Sequence, residues 1–165
     1  MITVKKNFLD ASVIESISKY VGENMNKPMW NTNVSWQKGI VKGGGQVATT
    51  RLEQFDEIMK EQYVKSDEKF KDMSVECRFY IWNRGSHIPW HNDKKYKFGS
   101  TIYLNKGWHR DDGGLFLWED ENQQIHAEVP EFNKMVLNDD GTSHAVSMIS
   151  NQSPQLRTTL QIWIK

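Results

Sequence analysis

The sequence predicts a mainly β domain, a jelly roll carried on one outer face by N-terminal helices. Three observations lead there. Apolar residues in the first third recur at helical spacing, residues 74–164 break into short β-rich runs, and turn-forming clusters separate those runs. At a prior of about 150 residues per domain, the 165 residues form one domain. Its helical support is expected over about 1–70 and its β core over about 71–165.

Taken in order, Asp10 stands where a helix N-cap is expected, and Leu9, Val13, Ile17, Tyr20 and Val21 form an apolar stripe that reads as ending at Gly22. A second stripe, Leu52, Phe55, Ile58, Met59 and Tyr63, predicts a helix over about 51–64. The stretch 31–50 between them reads as a loop, with Gly43-Gly44-Gly45 marking backbone freedom. No Gly-Lys-Ser/Thr follows, so it is not a phosphate-binding loop. Strands are predicted at 74–82, 98–104, 114–119, 124–129, 134–138, 144–150 and 157–164. The punctuation is Asn83-Arg84-Gly85, Asp111-Asp112-Gly113-Gly114, Asn138-Asp139-Asp140-Gly141 and the turn at 151–154.

Composition removes several function classes. Lys plus Arg and Asp plus Glu both number 21, a net charge of zero that argues against a generic polyanion binder. The single Cys77 excludes an internal disulfide and any multi-cysteine zinc site. No apolar run reaches the roughly 18 residues of a membrane span, and MITVKKNFLD holds no signal-peptide core. A cytoplasmic protein is the expectation, and oligomeric state is not readable.

Chemistry enters with Trp90-His91-Asn92-Asp93. In extended backbone, residues i and i+2 point the same way with Cα atoms roughly 6.5 Å apart, so His91 and Asp93 face one ion. Alone, a His-x-Asp also fits a surface histidine near a turn. His144 opens a later strand, and two imidazoles with one carboxylate make the facial triad suited to non-haem Fe(II). The last strand alternates Thr158, Leu160, Ile162 and Ile164 with Arg157, Thr159, Gln161 and Trp163. In a two-layer sandwich the second set meets water. In a barrel with helices outside it lines the cavity, and an inward Arg157 then needs an anionic partner, because an unpaired buried charge costs several kcal/mol. A bound dicarboxylate would supply that partner.

From Phe79 to Trp163 the chain resembles the 2-oxoglutarate/Fe(II)-dependent dioxygenases, most closely their prolyl 4-hydroxylase branch. The segments that carry the resemblance begin with Gly85-Ser86-His87-Ile88-Pro89-Trp90-His91-Asn92-Asp93, Thr101-Ile102-Tyr103-Leu104-Asn105-Lys106-Gly107-Trp108 and Gly113-Gly114-Leu115-Phe116. Val129-Pro130-Glu131-Phe132-Asn133-Lys134, His144-Ala145-Val146 and Arg157-Thr158-Thr159-Leu160-Gln161-Ile162-Trp163 follow in the family's order.

The resemblance implies a double-stranded β-helix, the cupin-like jelly roll. It makes His91, Asp93 and His144 the iron ligands and Arg157 the grip on the distal carboxylate of 2-oxoglutarate. Tyr103 would share that carboxylate, Thr159 would add a hydroxyl, and Trp163 would line the cavity. Trp82 stands where many members have tyrosine, with Tyr80 two residues earlier, so either is a candidate co-substrate contact. The interval from His144 to Arg157 is a few residues longer than usual, read as an enlarged turn at 151–154. His87 shares parity with His91 and, like Trp90, is a candidate for the pocket mouth. His109 and His126 receive no role, and Trp30, Trp36, Trp108 and Trp118 read as core or rim aromatics.

The implied cofactors are Fe(II), 2-oxoglutarate and O2, with room for ascorbate. The implied reaction is hydroxylation of a prolyl residue in a peptide or protein, with succinate and CO2 released. Another amino-acid side chain, a small metabolite, a nucleic-acid base and a non-catalytic metal-binding jelly roll are the alternatives. Net neutrality disfavours nucleic acid, and no membrane partner is expected. Residues 43–45 are expected to hinge a lid.

Overall fold

The structure, a computed structural model, describes residues 1–31, 47–139 and 141–165. The glycine triplet, Trp36 and the expected lid lie outside the described residues. Among the described residues no helix is long and apolar enough to cross a membrane.

The chain begins with β1 (Ile2–Lys5) and α1 (Ala11–Asn24), then β2 (Val47–Arg51) and α2 (Asp56–Ser66). Eight further strands complete it. They are β3 (Val75–Trp82), β4 (Ile88–His91), β5 (Phe98–Tyr103), β6 (Phe116–Glu119), β7 (Ile125–Glu128), β8 (Met135–Asp139), β9 (His144–Val146) and β10 (Arg157–Ile164). A six-stranded sheet runs β1-β8-β5-β10-β3-β2 and a four-stranded sheet runs β4-β9-β6-β7, with every pairing antiparallel. The two sheets make the jelly roll.

Several boundaries differ from the sequence expectation. The helical support contains two strands, since β1 adds an edge beside β8 and β2 occupies the end of the expected loop. Helix α1 passes Gly22, where a Cβ would meet nothing within 4 Å, so this position is a solvent face rather than a stop. Asp10 occupies the N-cap position without a side-chain cap. Its carboxylate instead accepts from Lys65 Nζ at 2.9 Å and Gln62 Nε2 at 3.1 Å, tying α1 to α2. The start of the second predicted helix is a 3-10 turn at Glu53–Phe55. Strand β9 stops at Val146 rather than at 150, and β8 runs one residue past the predicted 138, taking in Asp139 from the expected turn.

The main core lies between the helices and the outer face of the large sheet. Val13, Ile17 and Val21 from α1, and Met59 and Tyr63 from α2, pack with Cys77, Leu160, Ile162 and Ile164. Each large apolar side chain buried there contributes about 1.5–3 kcal/mol. Asn133, at φ 57°, fastens the entrance to α1: its amide donates to Leu9 O at 2.9 Å and its Oδ1 accepts from Leu9 N at 2.8 Å. With its apolar set under the helices, β10 turns Arg157, Thr159, Gln161 and Trp163 to the inner face, the barrel arrangement rather than the sandwich one.

Candidate active site

A cavity of ≈ 170 Å³ opens between the sheets. Its wall includes His91 at the end of β4 and Asp93 just after it, His144 from β9, Arg157, Gln161 and Trp163 from β10, and Tyr80 and Trp82 from β3. Strands β4 and β9 set two imidazoles that could hold a metal, because His91 and His144 are direct cross-strand partners. Their rings lie 4.2 Å apart, and ligand atoms of His91, Asp93 and His144 all fall within 4.8 Å of one another.

Each imidazole is held from behind. His91 Nδ1 is 2.8 Å from Pro89 O, and His144 Nδ1 is 2.9 Å from Thr142 O. A carbonyl only accepts, so both Nδ1 atoms carry the proton and both Nε2 atoms present lone pairs to the centre. The carboxylate completes the set, with Asp93 Oδ1 3.9 Å from His91 Nε2 and Oδ2 3.5 Å from His144 Nε2. Phe116 stacks on His144 at 5.2 Å. Burial first, and then the neighbouring His91, push the His144 pKa below the ordinary imidazole value, which keeps it neutral for ligation. Gly99 makes space for the carboxylate: a Cβ there would lie 2.9 Å from Asp93 Oδ2.

At another part of the wall is a buried cation. Arg157 is 1% exposed, and its Nε, Nη1 and Nη2 have no hydrogen-bond partner. Its guanidinium is sandwiched by rings, 5.1 Å from Trp82 and 5.2 Å from Tyr103. The Tyr103 hydroxyl is likewise buried without a partner, and burial, its largest influence, leaves its pKa pushed up to about 12, so it stays a donor. Gly114, at φ +62°, bends the chain around the arginine, since a Cβ there would be 2.8 Å from Arg157 Cδ. Three unsatisfied guanidinium nitrogens on the cavity wall, with the Tyr103 ring packed behind them, describe a site for an anion with oxygen acceptors.

The sequence-named residues divide clearly. Trp82 is the one against Arg157, and its Nε1 donates to Thr159 Oγ1 at 3.0 Å. Tyr80 stands one layer away, stacked on Trp82 at 5.6 Å. Trp163 lines the cavity with a buried, unpartnered Nε1. His87 and Trp90 are not on the wall. The register of β4 shifts between Ile88 and His91, so Ile88 takes the inward place that parity assigns to His87. Trp90 is 43% exposed. Sequence reasoning passed over Tyr96, Thr101 and Phe116, all on the wall, and gave Gln161 no role beyond its place in the inward set of β10. For Gln161 a signal was present, because it shares the inward parity of Arg157.

The sequence profile of the 2OG-Fe(II) oxygenase superfamily matches residues 75–165. The chain belongs to this superfamily. It is therefore a 2-oxoglutarate-dependent dioxygenase, whose family chemistry uses Fe(II), 2-oxoglutarate and O2. No curated protein matches it by sequence. Among solved structures, a Pseudomonas putida prolyl-4-hydroxylase superposes with TM-score 0.76 at 17% identity, covering 99% of this chain and 91% of that one. A Trichoplax adhaerens prolyl hydroxylase, solved with a hypoxia inducible factor oxygen degradation domain peptide fragment, gives 0.74 at 12% identity, covering 99% and 82%. The non-heme alpha ketoglutarate dependent epimerase SnoN from nogalamycin biosynthesis gives 0.66 at 10% identity, covering 98% and 78%. The double-stranded β-helix is thus shared with hydroxylases and an epimerase alike, and the fold alone leaves the substrate open.

Proposed function

We propose that this dioxygenase hydroxylates a prolyl residue of a peptide or protein, with succinate and CO2 as co-products. One observation carries the co-substrate half of that reading. The same small cavity holds a His-Asp-His cluster and a fully buried guanidinium with no partner, and a dicarboxylate reaching from one to the other satisfies both. When bound, Fe(II), 2-oxoglutarate and O2 supply an oxidative decarboxylation in which one oxygen atom ends in succinate and the other in the C–OH of the substrate.

The chain's own groups have separate tasks in this reading. His91, Asp93 and His144 hold the metal through Nε2, a carboxylate oxygen and Nε2, with the backbone carbonyls of Pro89 and Thr142 fixing both ring orientations. Arg157 pairs with the distal carboxylate of 2-oxoglutarate, Tyr103 donates to it, and Trp82 keeps the Thr159 hydroxyl in place. Gln161 is oriented by Thr101 Oγ1, which donates to its Oε1 at 2.8 Å and leaves its amide N–H groups for a substrate carbonyl. The Trp163 indole N–H is a second such donor. A rigid aromatic wall with two N–H donors suits an extended peptide around a proline ring. The prolyl hydroxylases among the structural neighbours support the same choice.

The test is turnover of a proline-containing peptide library with Fe(II), 2-oxoglutarate and ascorbate, read by mass spectrometry and by succinate release. A peptide gaining one oxygen at proline, with stoichiometric succinate, is the expected result. Succinate release stimulated only by proline-free compounds would overturn the prolyl reading.

A further inference from the structure

Outside the metal centre, the charges around the cavity are one-sided. The inward face of β3 runs Trp82, Tyr80, Arg78, Glu76, passing from aromatic depth to charged mouth, and Arg78 sits directly across from Gln161. After β4 the chain turns, with Tyr96 N donating to Asp93 O at 2.9 Å, and this turn carries Lys94, Lys95 and Lys97. Tyr96 and Trp163 form the lip of the cavity with rings 5.4 Å apart. Three cations stand over that lip: Lys95 Nζ lies 5.7 Å and Lys165 Nζ 5.3 Å from the Tyr96 ring, and Arg78 lies 5.9 Å from the Trp163 ring.

Among the described residues only Glu76 pairs with them, at 3.1 Å from Arg78 and 3.5 Å from Lys165. Exposed Lys94, Lys95 and Lys97 have no ion-pair partner within 4.0 Å among the described residues. In a chain of zero net charge this is a local excess, balanced at a different groove by Glu119, Asp120, Glu121 and Asp139.

We propose that the cationic lip formed by Arg78, Lys94, Lys95, Lys97 and Lys165 selects an acidic peptide segment, carboxylates flanking the residue that enters the cavity. This rests on the cavity being a peptide-hydroxylation site. Three cations over two aromatic rings, with Lys94 and Lys97 exposed on the same turn, recruit a short anionic segment, docking carboxylates at the rim while an apolar ring passes between Tyr96 and Trp163. A nucleic acid backbone would demand a longer run of cations than this short lip supplies.

The experiment measures binding, so that it does not depend on turnover. Fluorescein-labelled twelve-residue peptides with a central proline are titrated into protein loaded with Mn(II) and 2-oxoglutarate. The flanks are Asp/Glu, Ser/Gly or Lys/Arg, and an Asp/Glu peptide with alanine for proline is included. The acidic peptide should bind about tenfold tighter than the neutral one at low salt, a preference that shrinks as ionic strength rises. The variant Lys95→Glu/Lys97→Glu/Lys165→Glu should reverse the order of acidic and basic peptides. Neutral or basic flanks binding wild type as well as acidic ones do would overturn the proposal. So would a labelled single-stranded oligonucleotide binding more tightly than the acidic peptide. Tight binding of the acidic peptide, together with no oxygen gain at its proline when the same peptide is incubated with Fe(II) in place of Mn(II), keeps the acidic lip and removes the prolyl reading instead.

Discussion

Arg157 shows how a single side chain reports on a missing partner. A guanidinium cannot shed its proton at working pH, and burial opposes its charge, so an unpaired one weakens the empty protein. Replacing it therefore separates folding from binding. Arg157→Met, which fills the same space without charge, should leave the melting temperature of the ligand-free protein within a few degrees of wild type or above it. The same variant should weaken 2-oxoglutarate binding by about 30- to 1000-fold, the loss of roughly 2–4 kcal/mol of charge-assisted contact. Arg157→Lys should recover only part, because an ammonium lacks the planar two-pronged contact. Tyr103→Phe should lose less, since it removes one neutral donor. Thermal unfolding and 2-oxoglutarate titration check these together. A ligand-free Arg157→Met protein melting far below wild type would mean that the guanidinium is already paired within the chain.

At the scale of elements, two glycines give the strands their separate jobs. Gly99 on β5 leaves room for the Asp93 carboxylate, and Gly114 before β6 leaves room for the Arg157 stem. Gly99→Ala should weaken Mn(II) binding by about tenfold, the size of a disturbed metal surround, while leaving the carboxylate grip at Arg157 in place. Gly114→Ala should do the converse, raising the 2-oxoglutarate requirement at saturating metal, with about 1 kcal/mol or more of backbone strain besides. Equal loss of both ligands in both variants would show a general unfolding of the cavity instead. In the sequence Gly99 falls inside a predicted strand and Gly114 closes a turn cluster, and neither pattern shows what the missing Cβ makes room for.

Legibility followed the strength of the alternation. Strand β10 reads correctly because eight residues alternate without a break, and its inward set already pointed to Arg157 and Trp163. Strand β4 does not, because four residues with a register shift carry too little period to show where the bulge falls. That is why His87 was assigned the inward place that Ile88 holds. Strands β1 and β2 were missed for a related reason. Each is a short edge strand whose pairing with β8 or β3 comes from distant sequence, and no local pattern encodes that.

For the whole molecule, the folding core and the reacting cavity occupy opposite faces of one sheet. Strand β10 serves both, giving Leu160, Ile162 and Ile164 to the core and Arg157, Gln161 and Trp163 to the cavity. The three candidate ligands stand on the small sheet and the turn after β4, outside the core cluster, with His91 and Asp93 side chains 17% and 19% exposed. Folding should thus be nearly indifferent to His91 and Asp93. Ligand-free His91→Ala and Asp93→Ala should melt close to wild type, whereas His144→Ala should melt lower, because its 6% exposed ring stacks on Phe116 and leaves a void. Metal linkage should separate all three from wild type. Mn(II) at a hundred times its dissociation constant stabilises a protein by about 2.7 kcal/mol, and each alanine variant should lose that upward shift along with succinate release. Thermal melts with and without Mn(II), beside a succinate assay with Fe(II), measure both. Any one of the three variants that keeps near-wild-type turnover is not a ligand, and the cluster would then need a different third member.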